Sequence, residues 1–249
     1  MGLSRPFRRT VRQFADGPYA GGGRWRYIRH PRFGLETEHY VRAFFVIQKD
    51  LLELFDYIEP ADANLQCYSY RVHELFMRAC IEVEANFKAI LCENGYTRGG
   101  DWNMGDYRKC EASHSMSAYQ IKLPVWQGAH HTLTPFSAWV TDSSLSWYQD
   151  YNAAKHSRHG NFAKANFANL LDAIGGLAAL LSAQFWTEDF SPSAGVLALE
   201  GSWDGLEGAA GGYLRVKFPD NWPAPDRYDF DWASIEADPD PFQNYPYPL

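Results

Sequence analysis

Hydrogen-bonding and titratable side chains are concentrated in one short stretch, SWYQDYNAAKHSRHGNF, at residues 146 to 162. His156 has a side chain that can accept and return a proton near neutral pH. The guanidinium of Arg158 and the amide of Asn152 stabilise negative charge on a phosphate, and the ammonium of Lys155 adds to the attraction. The stretch lies at the predicted start of a long apolar helix, whose dipole favours an anion. These residue types predict proton transfer at a phosphate, and RNA carries its own nucleophile in the 2′-hydroxyl group.

The same side chains also fit a purely structural role. His156 and Arg158 could form ion pairs with acidic residues of a preceding helix and so fix the packing of the helices. The acidic candidates are Glu74, Glu82 and Glu84. Residue types and spacing leave both interpretations open.

A second polar stripe precedes this cluster. Arg71, Glu74, Arg78 and Glu82 recur at helical spacing, so on a helix they face the same side. They could form a ladder of ion pairs on the helix surface. If the stripe faces the cluster, it would instead form a polar furrow, the second wall of a site, in which Arg71 and Arg78 bind RNA.

Four segments carry apolar residues at helical spacing. We predict helices over residues 36 to 58, about 66 to 93, about 142 to 156 and roughly 161 to 185. Thr37 is expected to cap the first helix, and Asn94 with Gly95 ends the second. Gly175 and Gly176 lie in the middle of the fourth helix, where a close helix crossing would explain them.

The regions outside these helices carry weaker signals. MGDYRKCEASHSMSAYQ predicts one short helix, IKLPVW an extended segment, and GYLRVKF is strand-like. The predicted fold class is therefore all-α: an antiparallel bundle of four long helices at residues 36 to 185. An irregular basic N-terminal arm at residues 1 to 35 precedes the bundle, and a mostly irregular acidic C-terminal extension at residues 186 to 249 follows it.

Charge is distributed unevenly along the chain, whose net charge is −7. Residues 1 to 32 hold eight Arg and one Asp, whereas residues 186 to 249 hold twelve acidic and three basic residues. A basic arm interleaved with aromatic residues could follow a phosphate backbone and stack on bases. Alternatively, the arm packs on the acidic C-terminal part of the same chain or of a partner.

Several classes of protein are disfavoured by composition. The four cysteines are dispersed without a CxxC motif, which favours reduced thiols in a cytoplasmic protein. No run of apolar residues has the length of a membrane span, so no membrane partner is predicted. His130 and His131 lack a third ligand at a recognisable spacing, and the glycine-rich stretches lack a following Lys-Ser or Lys-Thr. We therefore predict no metal and no cofactor.

The segments WYQDYNAAKHSRHGNFAKANFANLLDAIGGL and RVHELFMRACIEVEANFKAIL resemble the helices of HEPN-like bundles, over about residues 36 to 185. The resemblance implies an antiparallel bundle that forms a homodimer and, in many members, cleaves RNA without a metal. The family's pattern is an Arg, often followed by Asn or Asp, with a His four to six residues further on. Asn152 and His156 match the polar and His positions, whereas Tyr151 occupies the Arg position. Tyr cannot replace the charge of a guanidinium, but Arg158 could supply it from the other side of His156.

The resemblance and the residue types together give the functional expectation. It is a metal-independent endoribonuclease of the toxin or phage-defence kind, acting on RNA as a homodimer. The catalytic candidates are His156, Arg158, Asn152 and Tyr151, and the RNA-binding candidates are Lys155, His159, Arg71 and Arg78. The alternative is a non-catalytic dimerising helical module that binds a protein partner or a nucleotide through its arm, tail or polar furrow.

Overall fold

The computed structural model of the protein describes residues 2–20, 26–188 and 206–249. The helices in this part of the chain are α1 (Thr37–Phe55), α2 (Tyr70–Glu93), α3 (Met104–Tyr107), α4 (Cys110–His114), α5 (Ser146–His156), α6 (Arg158–Asn161), α7 (Phe167–Phe185) and α8 (Trp232–Ile235). The strands are β1 (Gln120–Lys122), β2 (Thr132–Leu133), β3 (Glu207–Gly208) and β4 (Arg215–Lys217).

Helix α7 is the centre of the fold. Every residue from Leu170 to Phe185 is buried except Asp172. Helix α2 packs along α7, and α1, α5 and the sheet contact it from other sides. A helix that is apolar on all faces belongs inside a core. Helix α7 is also long and apolar enough to cross a membrane, but 83% of its most apolar window is buried inside the fold, as in the core helix of a folded domain.

The two glycines of α7 allow the chain before α5 to approach the helix closely. A Cβ atom on Gly175 would lie 2.9 Å from the Cδ1 atom of Leu133, and one on Gly176 would lie 3.2 Å from the Cζ atom of Phe136. Leu133 belongs to β2 and Phe136 follows it. The close neighbour of these glycines is therefore a strand and its loop, not a crossing helix as predicted.

The prediction of an all-α bundle of four long helices is wrong. An antiparallel sheet in the order β2-β1-β4-β3 packs on α7. Its central register pairs Ile121 with Leu133 on one side and with Val216 on the other, and all three side chains are buried. Strands of two or three residues are too short to show alternating hydrophobicity over a useful length. In addition, α5 has 11 residues, about half the length of α2 with 24.

The residues at the helix ends explain why the observed helix boundaries differ from the predicted ones. Glu36 has a left-handed φ of 53°, so Thr37 is the first residue of α1 and not its cap. The Ser69 hydroxyl accepts a hydrogen bond from the backbone N–H of Val72, which starts α2 at Tyr70. The side chain of Asn166 accepts from the N–H of Asn169 and starts α7 later than predicted. The predicted end of α2 is confirmed, because Asn94 is its C-cap and Gly95 has a φ of +79°.

The basic N-terminal arm packs against the acidic C-terminal part of the same chain. Arg5 and Asp238 form an ion pair of 2.6 Å, as do Arg8 and Asp240. Phe14 packs edge-on against Tyr228, which is fully buried. The second of the two interpretations of the arm is therefore correct for these residues.

Two arginines of the arm lie in the core. The Nε atom of Arg9 donates to Glu93 at 2.5 Å and its Nη1 atom to Gln184 at 2.8 Å. Arg12 donates twice to the carbonyl oxygen of Ser113, at 3.0 and 2.8 Å. Both arginines are buried, so their charges hold the arm in place and are not accessible to a nucleic acid.

Candidate functional site

Helices α5 and α2 run antiparallel to each other and position the predicted site. Near the start of α5, the hydroxyl of Tyr148 donates to the carboxylate of Glu84 at 2.9 Å. Just beyond the end of α5, the guanidinium of Arg158 lies over the ring of Tyr70, 6.0 Å from its centroid. The polar residues of α5 therefore extend from the middle of α2 to its first turn.

Tyr151, which the resemblance to HEPN-like bundles aligns with an Arg, is part of the core. It is 1% exposed, and its ring packs edge-on against Phe76 at 6.1 Å. Its hydroxyl accepts a hydrogen bond from the Nζ atom of Lys155 at 3.2 Å. Burial, followed by the nearby carboxylate of Glu84, raises the pKa of Tyr151 far above its usual range. A neutral, buried phenol at this position stabilises the packing of α5 on α2 and does not reach solvent.

A polar pocket of about 480 Å³ lies on the next face of α5. Lys88 and Lys155 give it two cations, and Glu84 and Asp101 give it two carboxylates. Amide groups, including that of Asn152, also line it. Of the predicted catalytic residues, Asn152 is the one that lines this pocket. Its two carboxylates balance its two cations, which makes the pocket suited to a polar ligand and less suited to a phosphate chain.

His156, Arg158 and His159, which we call the basic cluster, are all exposed at the end of α5. Ser157, with φ −142° and ψ 69°, breaks the helix between them. Within the described part of the chain, His156 and Arg158 form no ion pair with Glu74, Glu82 or Glu84, so the predicted structural clamp is not observed. The two side chains are accessible to a ligand.

The predicted contribution of a helix dipole at the basic cluster is wrong. Lys155 and His156 are in the last turn of α5, and Arg158 and His159 belong to α6, which has only four residues, so none of them lies at the start of the long apolar helix α7. The carboxyl end of a helix attracts cations and not anions. The basic cluster would therefore bind a phosphate through its side chains alone.

Four aromatic side chains, Tyr68, Tyr70, His73 and Phe162, form a surface beside the basic cluster, which we call the aromatic patch. Phe162 lies at its centre, with ring centroid distances of 4.8 Å to Tyr70, 5.5 Å to His73 and 5.8 Å to Tyr68. Tyr68 is 54% and Tyr70 is 70% exposed. Large aromatic rings at this exposure, with Arg158 above one of them, can stack with a planar ligand.

The aromatic patch is not among the sites predicted from the sequence. Tyr68 and Tyr70 flank Ser69, the cap of α2, and Phe162 lies in the connection to α7. The alternation of aromatic residues in QCYSYRV is a signal for exposed rings around a helix cap. These rings contact Phe162 because α5 packs along α2. The local sequence pattern carries no information on that packing.

His73 is an additional titratable residue at the patch. Its Nε2 atom is buried and has no hydrogen-bond partner among the described residues. Burial, and next the charge of Arg158, lower the pKa of His73. A neutral imidazole close to Arg158 is thus available where α2 meets the basic cluster.

Arg71 and Arg78 lie on the side of α2 that faces α1. They line a groove of about 300 Å³ between α1 and α2, to which α5 contributes no lining residue. Arg71 forms an ion pair with Glu74 at 3.2 Å, while Arg78 pairs with Asp50 of α1 and not with Glu82. The structure therefore does not bring these two predicted RNA-binding residues together with the basic cluster.

The histidine pair His130 and His131 serves no metal site that the described residues define. The Nδ1 atom of His131 is 3.2 Å from the carbonyl oxygen of Gly128. Across residues 2–20, 26–188 and 206–249, no group of three or more His, Cys, Asp or Glu side chains is placed to hold a metal ion.

Comparison of the chain with protein-family models, with characterised proteins and with solved structures finds no match.

Proposed function

We propose that this protein binds single-stranded RNA at the aromatic patch and cleaves it at the basic cluster. One observation carries the proposal: exposed Tyr70 lies under the guanidinium of Arg158, next to exposed His156 and His159. Single-stranded nucleic acid is bound by aromatic rings that stack on bases together with cations that contact phosphates. The patch and the cluster supply both groups on one continuous surface.

The reaction would use the RNA's own 2′-hydroxyl as nucleophile. His156 accepts the proton of this hydroxyl while its oxygen forms a bond to the adjacent phosphorus and the bond from phosphorus to the 5′ oxygen breaks. The protonated imidazole then returns the proton to the 5′ oxygen, which gives a cyclic phosphate and a 5′-hydroxyl end. Arg158 stabilises the charge on the phosphate oxygens through its planar, bidentate fork. In this mechanism the residues of the chain account for every proton.

The burial of Tyr151 favours a second candidate, RNA binding without cleavage. In this structure the position of the family's Arg contributes no cation at the surface. Arg158 would then anchor the phosphate chain and the aromatic patch would bind the bases, with no residue positioned for both proton transfers. The two candidates share the binding surface and differ in whether the RNA is cut.

The test uses a fluorescent single-stranded RNA and the full chain. Tyr70→Ala should weaken binding by about tenfold or more, since stacking on one ring is worth about 1–3 kcal/mol. The matched control is Tyr57→Ala, which removes a ring that is 81% exposed on the α1–α2 side. Equal loss in both variants would show that the patch is not the binding surface.

Cleavage is tested separately with total RNA. His156→Ala should lower the rate by about 10²-fold or more without changing the melting temperature. The control is His39→Ala, an exposed histidine of α1. Specific binding without cleavage by the wild type would select the second candidate, and cleavage that survives in His156→Ala would refute the assigned role.

A further inference from the structure

A polar cavity of about 280 Å³ lies beside α7, away from the surface assigned to RNA. Its walls come from the loop around β2, the start of α5 and a single side chain of α7, Asp172. No residue of the basic cluster or the aromatic patch lines it. Two of the residues that line the cavity, Ser137 and Ser146, are exposed, so the cavity opens to solvent.

The carboxylate of Asp172 has no partner among the residues that the structure describes. Between Leu170 and Phe185 it is the one position of α7 that is not fully buried, and it makes no hydrogen bond or ion pair with any described residue. Two other partly or fully shielded carboxylates are compensated. Asp106 accepts from Arg98 at 2.5 Å and from Tyr96 at 2.7 Å, and Asp150 accepts from Asn169 at 3.0 Å. Shielding a carboxylate from water without such a partner costs free energy.

His130, which also lines the cavity, carries a second unsatisfied group. Its Nε2 atom is buried and has no hydrogen-bond partner among the described residues. Burial lowers the pKa of His130, which favours the neutral ring with a free acceptor nitrogen. The hydroxyl groups of Thr132 and Ser146 line the cavity as well. The cavity therefore combines one anion with several neutral acceptors.

The wall that carries His130 is held in place by Asp62. The carboxylate of Asp62 accepts hydrogen bonds from Trp126 Nε1 at 2.7 Å and from the backbone N–H groups of Ala129 at 2.7 Å and His130 at 3.0 Å. The ring of His130 packs against Trp126, with 6.0 Å between the centroids. These contacts preorganise the cavity, which lowers the entropy cost of binding a ligand.

We infer that this cavity binds a small organic cation through a primary ammonium group, with Asp172 as the counter-ion. An ammonium carries three donors and no acceptor, which matches a carboxylate, an imidazole nitrogen and hydroxyl oxygens. A divalent metal ion needs more anionic or carbonyl oxygen ligands than one carboxylate provides, and the described residues contain no group of three metal-ligating side chains. The volume fits an amine with a few carbon atoms.

The experiment is a ligand-observed NMR titration of the full chain at neutral pH. The probes are n-butylamine and its uncharged counterpart of the same length, n-butanol. The wild type should bind the amine at least about tenfold more tightly than the alcohol, and Asp172→Asn should lose about tenfold in affinity for the amine alone. Asp220→Asn, which changes a 73% exposed carboxylate outside the cavity, should leave both affinities unchanged.

Three results would overturn the inference: absence of amine binding, equal affinity of the amine and the alcohol, or equal affinity of the amine for wild type and Asp172→Asn. A titration with MgCl₂ adds a fourth, since displacement of the amine by Mg²⁺ through Asp172 would make the cavity a metal site. His130→Phe keeps the ring against Trp126 but removes the acceptor nitrogen, and it should weaken amine binding severalfold. Loss of RNA binding in any of these variants is not expected.

Discussion

Asp172, which has no partner among the described residues, should contribute less stability at neutral pH than at acid pH, and Asp172→Asn should remove this contribution. Burial raises the pKa of Asp172 from its ordinary value of 3.8 to about 6. Between these two values the folded chain holds a proton that the unfolded chain has released, so the free energy of unfolding falls as the pH rises. The difference corresponds to about 3 kcal/mol, since one pKa unit is worth about 1.4 kcal/mol.

Asparagine has the same shape as protonated aspartate and does not ionise. Asp172→Asn should therefore be more stable than wild type by up to about 3 kcal/mol above pH 6, and equal to it below about pH 4. For a chain of this length the gain at neutral pH corresponds to roughly 6–12 °C in melting temperature. Urea unfolding of both proteins at about pH 3.5, 5 and 7.5 measures the difference directly.

The matched control is Asp150→Asn. Asp150 forms an ion pair with Lys164 at 3.3 Å and accepts from Asn169, so its substitution should not stabilise the protein at any pH. Two results would refute the reasoning on Asp172. One is a variant that is less stable than wild type at neutral pH, and the other is a stability difference that does not change between acid and neutral pH.

Three further predictions concern the fold and the assembly. Gly128→Ala should destabilise the protein by about 2 kcal/mol or more in urea unfolding, because a Cβ atom would lie 2.3 Å from the carboxylate of Asp62 at a φ of +126°. The control is Gly208→Ala, which has open space around it and should cost less than half as much. Arg9→Ala should lower stability by about 3–5 kcal/mol, since Glu93 would lose a buried partner, and an unchanged melting temperature would contradict this. The homodimer that the resemblance implies requires a light-scattering mass of twice 28.4 kDa at micromolar concentration, and a mass of one chain would exclude it.

The long helices could be predicted because each carries its signal within its own sequence. Helices α1, α2 and α7 repeat apolar residues at a helical period over 19 to 24 residues. Their ends were less accurate, since the cap of each helix is decided by one side chain, such as Ser69 or Asn166, among several candidates nearby. The end of α2 was predicted correctly because Gly95 tolerates the left-handed backbone that follows the last turn.

IKLPVW and GYLRVKF indicated β1 and β4, but the sheet they form could not be predicted, because the pairing of strands depends on distant partners. Gln120 of β1 pairs with Lys217 of β4, so the hydrogen bonds that define the sheet join residues almost 100 positions apart. Each strand is too short to bury a face by itself, and the sheet exists because α7 covers it. A helix forms its backbone hydrogen bonds within its own segment, whereas a strand needs hydrogen-bond partners from other parts of the fold.

In the candidate sites, too, some features follow from the sequence and others only from the tertiary structure. Residue types show which side chains can transfer protons or bind phosphate, and His156 and Arg158 already lie in one stretch of the chain. Tertiary structure alone decided which of them share a surface: it buried Tyr151, directed Arg71 and Arg78 towards α1, and joined Tyr70 to Arg158. Asp172 is a single acidic residue in an apolar helix sequence. Its lack of a partner follows from the packing of every neighbouring element, because a charge is compensated by what surrounds it in space and not along the chain.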